Sequence, residues 1–339
     1  MNMVEWLKNA LGLCLGSSEL TQNQQIEVAN ELKEVYKCYP EEICKEIRKL
    51  MVEQLEIEDY IYVLSYLIQY MDIEDFEEDL MTAILKQDYN WYLTSMMELQ
   101  VIAKVKKQYL KKRLLHEKSI AEYSKVLNSN YKYLPIKQRN KKRIVIATEQ
   151  ILSALHAPTK VVLDFAYILQ KELGYEVMLF ACPSDGGLPK ETWYSATRMN
   201  SIEAFRNMPI EMEYRGEVFS GYQINMTSES LKNYHMMLRL IYEWKPFFVF
   251  SMGMVNSVIE LAGKFTTLVA MGMSIECPVS EGDILIRLSR KTEEEENEYL
   301  KVLNPNQKQI FMKQNIPVTI EKKKKYAVGK SWDCQKINS

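Results

Sequence analysis

Two short apolar runs with a helical segment between them constrain the fold of this chain most strongly. "RIVIAT", beginning at Arg143, and "YEVMLF", beginning at Tyr175, are apolar runs, and the intervening "PTKVVLDFAYILQKEL" ends at Gly174. Apolar runs of this length, bounded by turn residues, are typical of buried parallel strands. The segment therefore predicts a βαβ unit with a right-handed crossover.

The same alternation of strands and helices continues downstream. Strands are predicted in "KPFFVFSMG", "TTLVAM" and "DILIRLS", and helices at about 228–244, 255–263 and 292–303. Residues 208–226 alternate around a central "RGE", which predicts a small hairpin beside the sheet. Because this pattern is typical of α/β proteins with a parallel sheet, we predict one Rossmann-like domain over residues 143–320.

The N-terminal part of the chain has helical rather than strand-like periodicity. In "EEICKEIRKLMVEQL", Ile43, Ile47, Leu50 and Leu55 recur at steps that place them on one helix face, and glycine is absent from residues 17–173. Such stripes predict amphipathic helices that pack on one another. We predict an all-helical domain over residues 1–130, a basic linker over 131–142, and a linker or tail over 321–339.

Composition restricts the class of protein. The chain has 339 residues and a formal net charge of −2, so no overall field attracts nucleic acid or an anionic membrane. Its six cysteines lack the spacing of a zinc site. No apolar stretch reaches the ~20 consecutive residues that span a bilayer, and the first residues lack the basic leader of a signal peptide. We expect a cytoplasmic protein with reduced thiols and no membrane span.

A basic stretch at residues 104–142 raises the question of nucleic-acid binding. Its first half keeps helical apolar spacing, whereas "NSNYKYLPIKQRNKKR" loses that spacing and contains a proline. The lysine run matches no known nucleic-acid-binding motif. We interpret the stretch as a solvated helix face followed by a charged linker, and we expect no nucleic-acid partner.

The loop after the first predicted strand, "TEQILSALHAP", occupies a position where open α/β sheets bind ligands. It contains neither the glycine fingerprint of dinucleotide sites nor a P-loop, which disfavours a dehydrogenase or an ATPase. It does contain His156, close to a helix start that Pro158 favours. The partial positive charge of a helix start favours a neutral imidazole, so His156 is a candidate general base. The alternative is that His156 only caps or packs the loop.

A second strand end, "SMGMVNSVIEL", supplies Gly253 and Asn256 as further candidates. Gly253 permits close approach of the backbone, and Asn256 can cap the following helix. Ordinary turn and cap chemistry is the alternative for both residues. We expect His116 on the solvated face of a basic helix and His235 at the edge of the core, so the three histidines predict no bound metal.

The residues from "RIVIATEQILSALHAPTKVV" through "KPFFVFSMGMVNSVIELAGKFTTLVAM" to "GDILIRLSR" resemble the N-terminal, acceptor-side half of a bacterial GT-B glycosyltransferase. "HAPT" is similar to the "HPT"-type segment of the O-linked N-acetylglucosamine transferase and its bacterial relatives, some of which carry a helical N-terminal domain. The resemblance implies two Rossmann-like domains facing each other across a cleft. The second domain binds a nucleotide sugar, usually a UDP-sugar, without an obligatory metal or cofactor.

By the same resemblance, His156 lies at the cleft, as a base or as a contact to the donor phosphate or the acceptor. Thr159 lies at the helix start, and Gly253 and Asn256 lie across from it. The second strand end departs from the family, whose turn is often richer in glycine than "SMGMVNS".

The larger departure from the family is at the C-terminus. "NIPVTIEKKKKYAVGKSW" resembles the linker between the two domains, and a nucleotide-sugar domain is expected after it but does not follow. The resemblance therefore implies the acceptor-side portion of a glycosyltransferase that acts on a protein or another hydroxyl acceptor. Such a portion is inactive alone, as in a truncated product, or depends on a partner chain that supplies the donor half. The alternative is a non-catalytic interaction or scaffold protein whose helical domain binds a partner.

Overall fold

The computed structural model describes residues 21–312, except 39, 72, 128–129, 185–187, 189–191, 255 and 274–276, together with residues 9, 12 and 13. The predicted tail, residues 321–339, lies outside the described residues, as does the end of the predicted sheet domain.

Six helices form the N-terminal part of the described chain. They are α1 (Gln22–Cys38), α2 (Pro40–Gln54), α3 (Ile57–Met71), α4 (Glu74–Lys86), α5 (Trp91–Lys104) and α6 (Tyr109–Leu127). The predicted stripe on α2 is buried, since Ile43, Ile47 and Leu50 are at most 3% exposed. At the start of α1, Thr21 and Gln24 form a capping box, in which each backbone N–H donates to the other's side chain. The predicted helical domain is confirmed as a fold class.

The downstream part alternates strands and helices. It contains β1 (Asn140–Thr148), α7 (Ala157–Tyr167), β2 (Glu176–Ala181), β3 (Met208–Tyr214), β4 (Glu217–Gln223), α8 (Leu231–Trp244), β5 (Pro246–Met252), α9 (Ser257–Glu260), β6 (Thr267–Met271), β7 (Ile284–Arg287), α10 (Glu293–Leu300) and β8 (Lys308–Phe311).

These strands form one eight-stranded sheet within the described part of the chain, in the order β3-β4-β2-β1-β5-β6-β7-β8. β1 pairs in parallel with both β2 and β5, and only the β3–β4 hairpin is antiparallel. The predicted βαβ unit, the hairpin and the Rossmann-like parallel sheet are therefore confirmed. β1 begins at Asn140, three residues before the predicted start.

The helical domain forms part of the cover of the sheet. On one face of β1, Ile144 and Ile146 pack against α7. On the other face, Val145 and Ala147 share a core with α8 and α9, and with residues of α5 and α6. Because the strand is apolar on both faces, it needs a layer of helices on each side. The N-terminal helices therefore share a core with the sheet domain.

Some lysines of the basic stretch form ion pairs with glutamates of a neighbouring helix. Lys107 and Lys111, near the start of α6, pair with Glu74 and Glu78 of α4 at 2.7 and 3.0 Å. These ion pairs bind α6 to α4 and account for part of the positive charge that the sequence places here.

A buried polar cluster joins the helices to the sheet domain. His116 Nδ1 on α6 lies 2.6 Å from Glu98 Oε1 on α5, and Ser257 Oγ on α9 donates to Glu98 Oε2 at 2.5 Å. Ser119 Oγ donates to Ser257 Oγ at 2.8 Å. The expectation that His116 is solvated is wrong, because its side chain is fully buried. Burial alone would lower the pKa of His116, but the neighbouring Glu98 carboxylate raises it above its usual value.

Removing Glu98 should destabilise the protein strongly. Glu98→Ala leaves His116 and Ser257 buried without their acceptor, and breaking a buried pair costs about 3 kcal/mol or more. Chemical denaturation should show this loss in the free energy of unfolding. Glu34→Ala is the matched control, because its ion pair with Lys37 is exposed and should contribute less than about 1 kcal/mol. Equal effects of the two variants would contradict a structural role of the cluster.

Candidate active site

The carboxyl ends of β1 and β5 lie side by side at the point where the strand order of the sheet reverses. From β1 the chain crosses to β2 on one side, and β5 occupies the other side. In open α/β sheets, ligands bind in the crevice outside the strand ends at such a position. The loop that carries His156 and the turn that carries Gly253 both begin at these strand ends.

Glu149, the residue directly after β1, is a site candidate that the sequence did not predict. Its side chain is 7% exposed, and its Oε1 has no hydrogen-bond partner among the described residues. Burial raises the pKa of the Glu149 carboxyl to about 8, although hydrogen bonds from the backbone of Glu149 and Met254 and from Thr148 offset part of the shift. Burial therefore favours the neutral form of the carboxyl, and Oε1 is a buried oxygen without a partner among the described residues.

Gly253 makes room for this carboxyl. It follows β5 with a φ of +120°, and a Cβ placed on it would lie 2.0 Å from Glu149 Oε2. The conformation and the contact both require glycine. The Gly253 predicted from the sequence thus lies against a buried carboxyl at the strand ends.

His156 lies half-buried immediately before α7, with Pro158 in the first turn of that helix. Its Nδ1 lies 2.9 Å from Thr159 Oγ1, and its Nε2 lies 3.4 Å from the side-chain nitrogen of Gln150. The preceding Leu155 is 97% exposed, so the loop is open to solvent beside the imidazole. This geometry places the imidazole beside Gln150, two residues after the end of β1.

Thr159 and Asn256 support the backbone at the two strand ends. Thr159 is fully buried, and its Oγ1 accepts a hydrogen bond from the N–H of Leu152 at 3.0 Å. Asn256 Oδ1 caps α9 by accepting from the N–H groups of Val258 and Ile259. Both side chains therefore hold their own loops in place. Direct contact of either residue with an acceptor substrate stays a prediction.

The remaining histidines lie outside this site. His116 belongs to the buried cluster between the helices and the sheet, and His235 on α8 is exposed rather than at the core edge. Across the residues that the structure describes, no group of three or more His, Cys, Asp or Glu side chains could hold a metal ion. The helices in that part of the chain are all too short or too polar to cross a membrane.

An open pocket of about 540 Å³ lies away from the strand-end residues. Glutamates from α4 and α10 line it, together with Lys107, Tyr109 and Leu110 at the start of α6. None of Glu149, His156 and Gly253 contributes to it. A cluster of glutamates on helix ends explains its polarity without a ligand.

The combination of Glu149 and His156 suits chemistry on a neutral, hydroxyl-bearing ligand. A neutral carboxyl can donate a hydrogen bond to a hydroxyl oxygen, and a neutral imidazole can accept a hydroxyl proton. The loop between them lacks the glycines with which backbone N–H groups surround a phosphate.

Substitution of Gly253 should disturb the site and lower stability. In Gly253→Ala the new Cβ overlaps the Glu149 carboxyl and the left-handed backbone becomes strained, so we expect a loss of about 1–3 kcal/mol. Thermal unfolding measures the loss. Gly263→Ala is the control, because its Cβ would meet Leu268 at an ordinary 3.6 Å. A melting temperature equal to that of the control would contradict the packing of Glu149 against Gly253.

Stability should fall as pH rises from about 5 to about 8. The folded-state pKa of Glu149, about 8, lies above the ordinary value of 4.5, so the folded protein holds one more proton than the unfolded chain in this window. The contribution is fully present below pH 4.5 and is lost as pH rises through 8. Burial also raises the pKa of Glu260, to about 7, so this group likewise makes the stability fall as pH rises.

Glu149→Gln should remove part of this dependence, since the amide does not titrate. Free energies of unfolding, measured at several pH values for the native and variant proteins, test the expectation. A variant with an unchanged pH slope would show that Glu149 is ionised in the folded state.

Comparison with known proteins identifies no family. No family model and no curated protein matches the chain. Among solved structures, it is similar to a mutant of the O-GlcNAc transferase of Thermobaculum terrenum, with 9% identity and a TM-score of 0.34. The alignment covers 85% of this chain and 55% of that chain, so this chain spans about half the length of that protein. At this identity and TM-score, the similarity identifies neither the activity nor the substrate of this chain.

Proposed function

We propose that this chain supplies the acceptor-side half of a glycosyl-transfer site. The observation that carries the proposal is the pair of side chains at the end of β1, His156 at the start of α7 and the buried, partly unpaired Glu149. The α/β architecture and the resemblance of "HAPT" and its surroundings to the acceptor half of GT-B enzymes support the same function.

The proposed reaction transfers a sugar from a UDP-sugar to a hydroxyl of a protein or another acceptor. The acceptor oxygen bonds to the anomeric carbon of the sugar, and the bond from that carbon to the phosphate oxygen breaks. UDP leaves with the electron pair, and the hydroxyl proton passes to His156 Nε2. Glu149 lies buried against Gly253 and supports the turn that follows β5.

The donor nucleotide requires a second binding surface. Transfer depends on holding donor and acceptor together in one geometry, and the strand-end loop described above offers no phosphate-binding glycines. We infer that a second domain, on further residues of the same polypeptide or on a partner chain, binds the UDP-sugar. The helical domain, which shares a core with the sheet domain, is a surface on which such a partner or a protein acceptor can dock.

Transfer assays with radiolabelled UDP-N-acetylglucosamine and UDP-glucose test the proposal. The full chain is assayed alone and together with the products of neighbouring genes, and both labelled protein and released UDP are measured. We expect transfer only in a mixture that supplies the donor half. His156→Ala should lower kcat by about 10²–10⁴-fold, the usual contribution of a general base.

His235→Ala is the matched control, because its imidazole is exposed on α8, and it should leave the rate unchanged. Absence of turnover in every mixture would favour the scaffold function. Equal rates for His156→Ala and the native chain would remove His156 from the mechanism.

A further inference from the structure

Residues 192–200, a segment that lies between β2 and β3, are anchored in the helical domain. Trp193 and Tyr194 are buried in the core of the helices. The Tyr194 N–H donates to Ser65 Oγ on α3 at 2.9 Å, and its hydroxyl donates to Gln25 Oε1 on α1 at 2.5 Å. Although it lies between two strands of the sheet, this segment of residues 192–200 is therefore held by α1 and α3.

A second anchor lies a few residues further along. The side chain of Gln100, on α5, makes two hydrogen bonds with the backbone of Thr197, accepting from its N–H at 2.5 Å and donating to its carbonyl at 3.0 Å. Gln100 is fully buried. The backbone is thus fixed as it approaches the candidate site.

At Asn200 the anchored segment reaches the site. The N–H of Asn200 donates to Gln150 Oε1 at 3.0 Å. The oxygen of the Gln150 amide is therefore an acceptor, and the nitrogen at its other end, which can only donate, faces His156 Nε2 at 3.4 Å. An amide N–H directed at this ring nitrogen requires Nε2 to carry a lone pair rather than a proton.

The other ring nitrogen completes the assignment. In a neutral imidazole without a proton on Nε2, Nδ1 carries the proton, and it donates to Thr159 Oγ1 at 2.9 Å. The same hydroxyl oxygen accepts from the N–H of Leu152, and its two lone pairs satisfy both donors.

We propose that Gln150, held by the segment that the helical domain anchors, is a positioning residue that fixes His156 as the Nδ1–H tautomer with the Nε2 lone pair facing the Gln150 amide. The catalytic use of this lone pair rests on the proposed function, whereas the tautomer itself does not. At 3.4 Å the bond from Gln150 is long, so an incoming hydroxyl displaces it at little cost and donates its own proton to Nε2.

The tautomer can be measured directly, because the chain has three histidines. Long-range ¹H–¹⁵N spectra of protein labelled with ¹⁵N at histidine, recorded above the pH at which the rings are protonated, distinguish a protonated nitrogen from one that carries a lone pair. Single His→Gln variants assign the three rings. We expect His156 in the native chain to be protonated at Nδ1, and exposed His235 to show the averaged signals of a free imidazole.

Gln150→Glu should reverse the assignment. A carboxylate can still accept from Asn200 but can only accept from His156, so the proton should move to Nε2. Gln150→Ala should give averaged signals at His156, while Gln170→Ala, the same change elsewhere in the sheet domain, should leave them unchanged. Gln100→Ala removes the anchor at Thr197 and should also shift His156 toward averaged signals.

Three results would overturn the proposal. They are a proton on Nε2 in the native chain, an unchanged Nδ1–H tautomer in Gln150→Glu, and an unchanged spectrum in Gln100→Ala. The spectra need no sugar nucleotide, so a failed transfer assay leaves this result standing. In turn, a negative spectrum leaves the transfer assay to decide the proposed function.

Discussion

The structure depends on the burial of β1 from both sides. A central parallel strand with apolar side chains on both faces is stable only between two layers of helices, and here α7 supplies one layer while α8, α9 and the N-terminal helices supply the other. The polar cluster lies within that second layer, where Glu98 bonds to His116 of α6 and to Ser257 of α9. The arrangement of the helices is therefore specified by hydrogen bonds as well as by apolar contact.

The sequence predicted the elements of the fold better than the environment of single residues. Local periodicity, which depends only on neighbouring residues, predicts the strands, the helix after His156 and the hairpin. The burial of Glu149 does not follow from local periodicity, because "ATEQ" has the composition of a solvated turn. The residue that packs against the carboxyl, Gly253, is about a hundred positions away in the sequence. The predicted exposure of His116 is wrong for the same reason. Its neighbours in the sequence are basic, whereas its partner, Glu98, lies on another helix.

The site candidates taken from sequence divide into two kinds. His156 and Gly253 lie at the adjoining strand ends, as the order of strands and loops predicted. Thr159 and Asn256 also lie there, but their side chains bind their own loops. For Asn256, the sequence leaves helix capping open as the alternative to ligand binding. The structure shows the cap, and a contact between Asn256 and a ligand stays a prediction.

The electrostatics of the strand ends separate the two halves of the proposed reaction. Burial raises the pKa of Glu149 and favours its neutral form, and a neutral acid offers no positive charge to a diphosphate. The helix start before Thr159 offers only a partial charge, and Pro158 removes one of its N–H donors. A sugar or protein hydroxyl loses little on entering such a crevice, whereas a diphosphate loses its hydration without gaining the donors that replace it. In the proposed reaction, different surfaces therefore recognise the hydroxyl and the nucleotide, and the transfer step depends on how those surfaces are brought together.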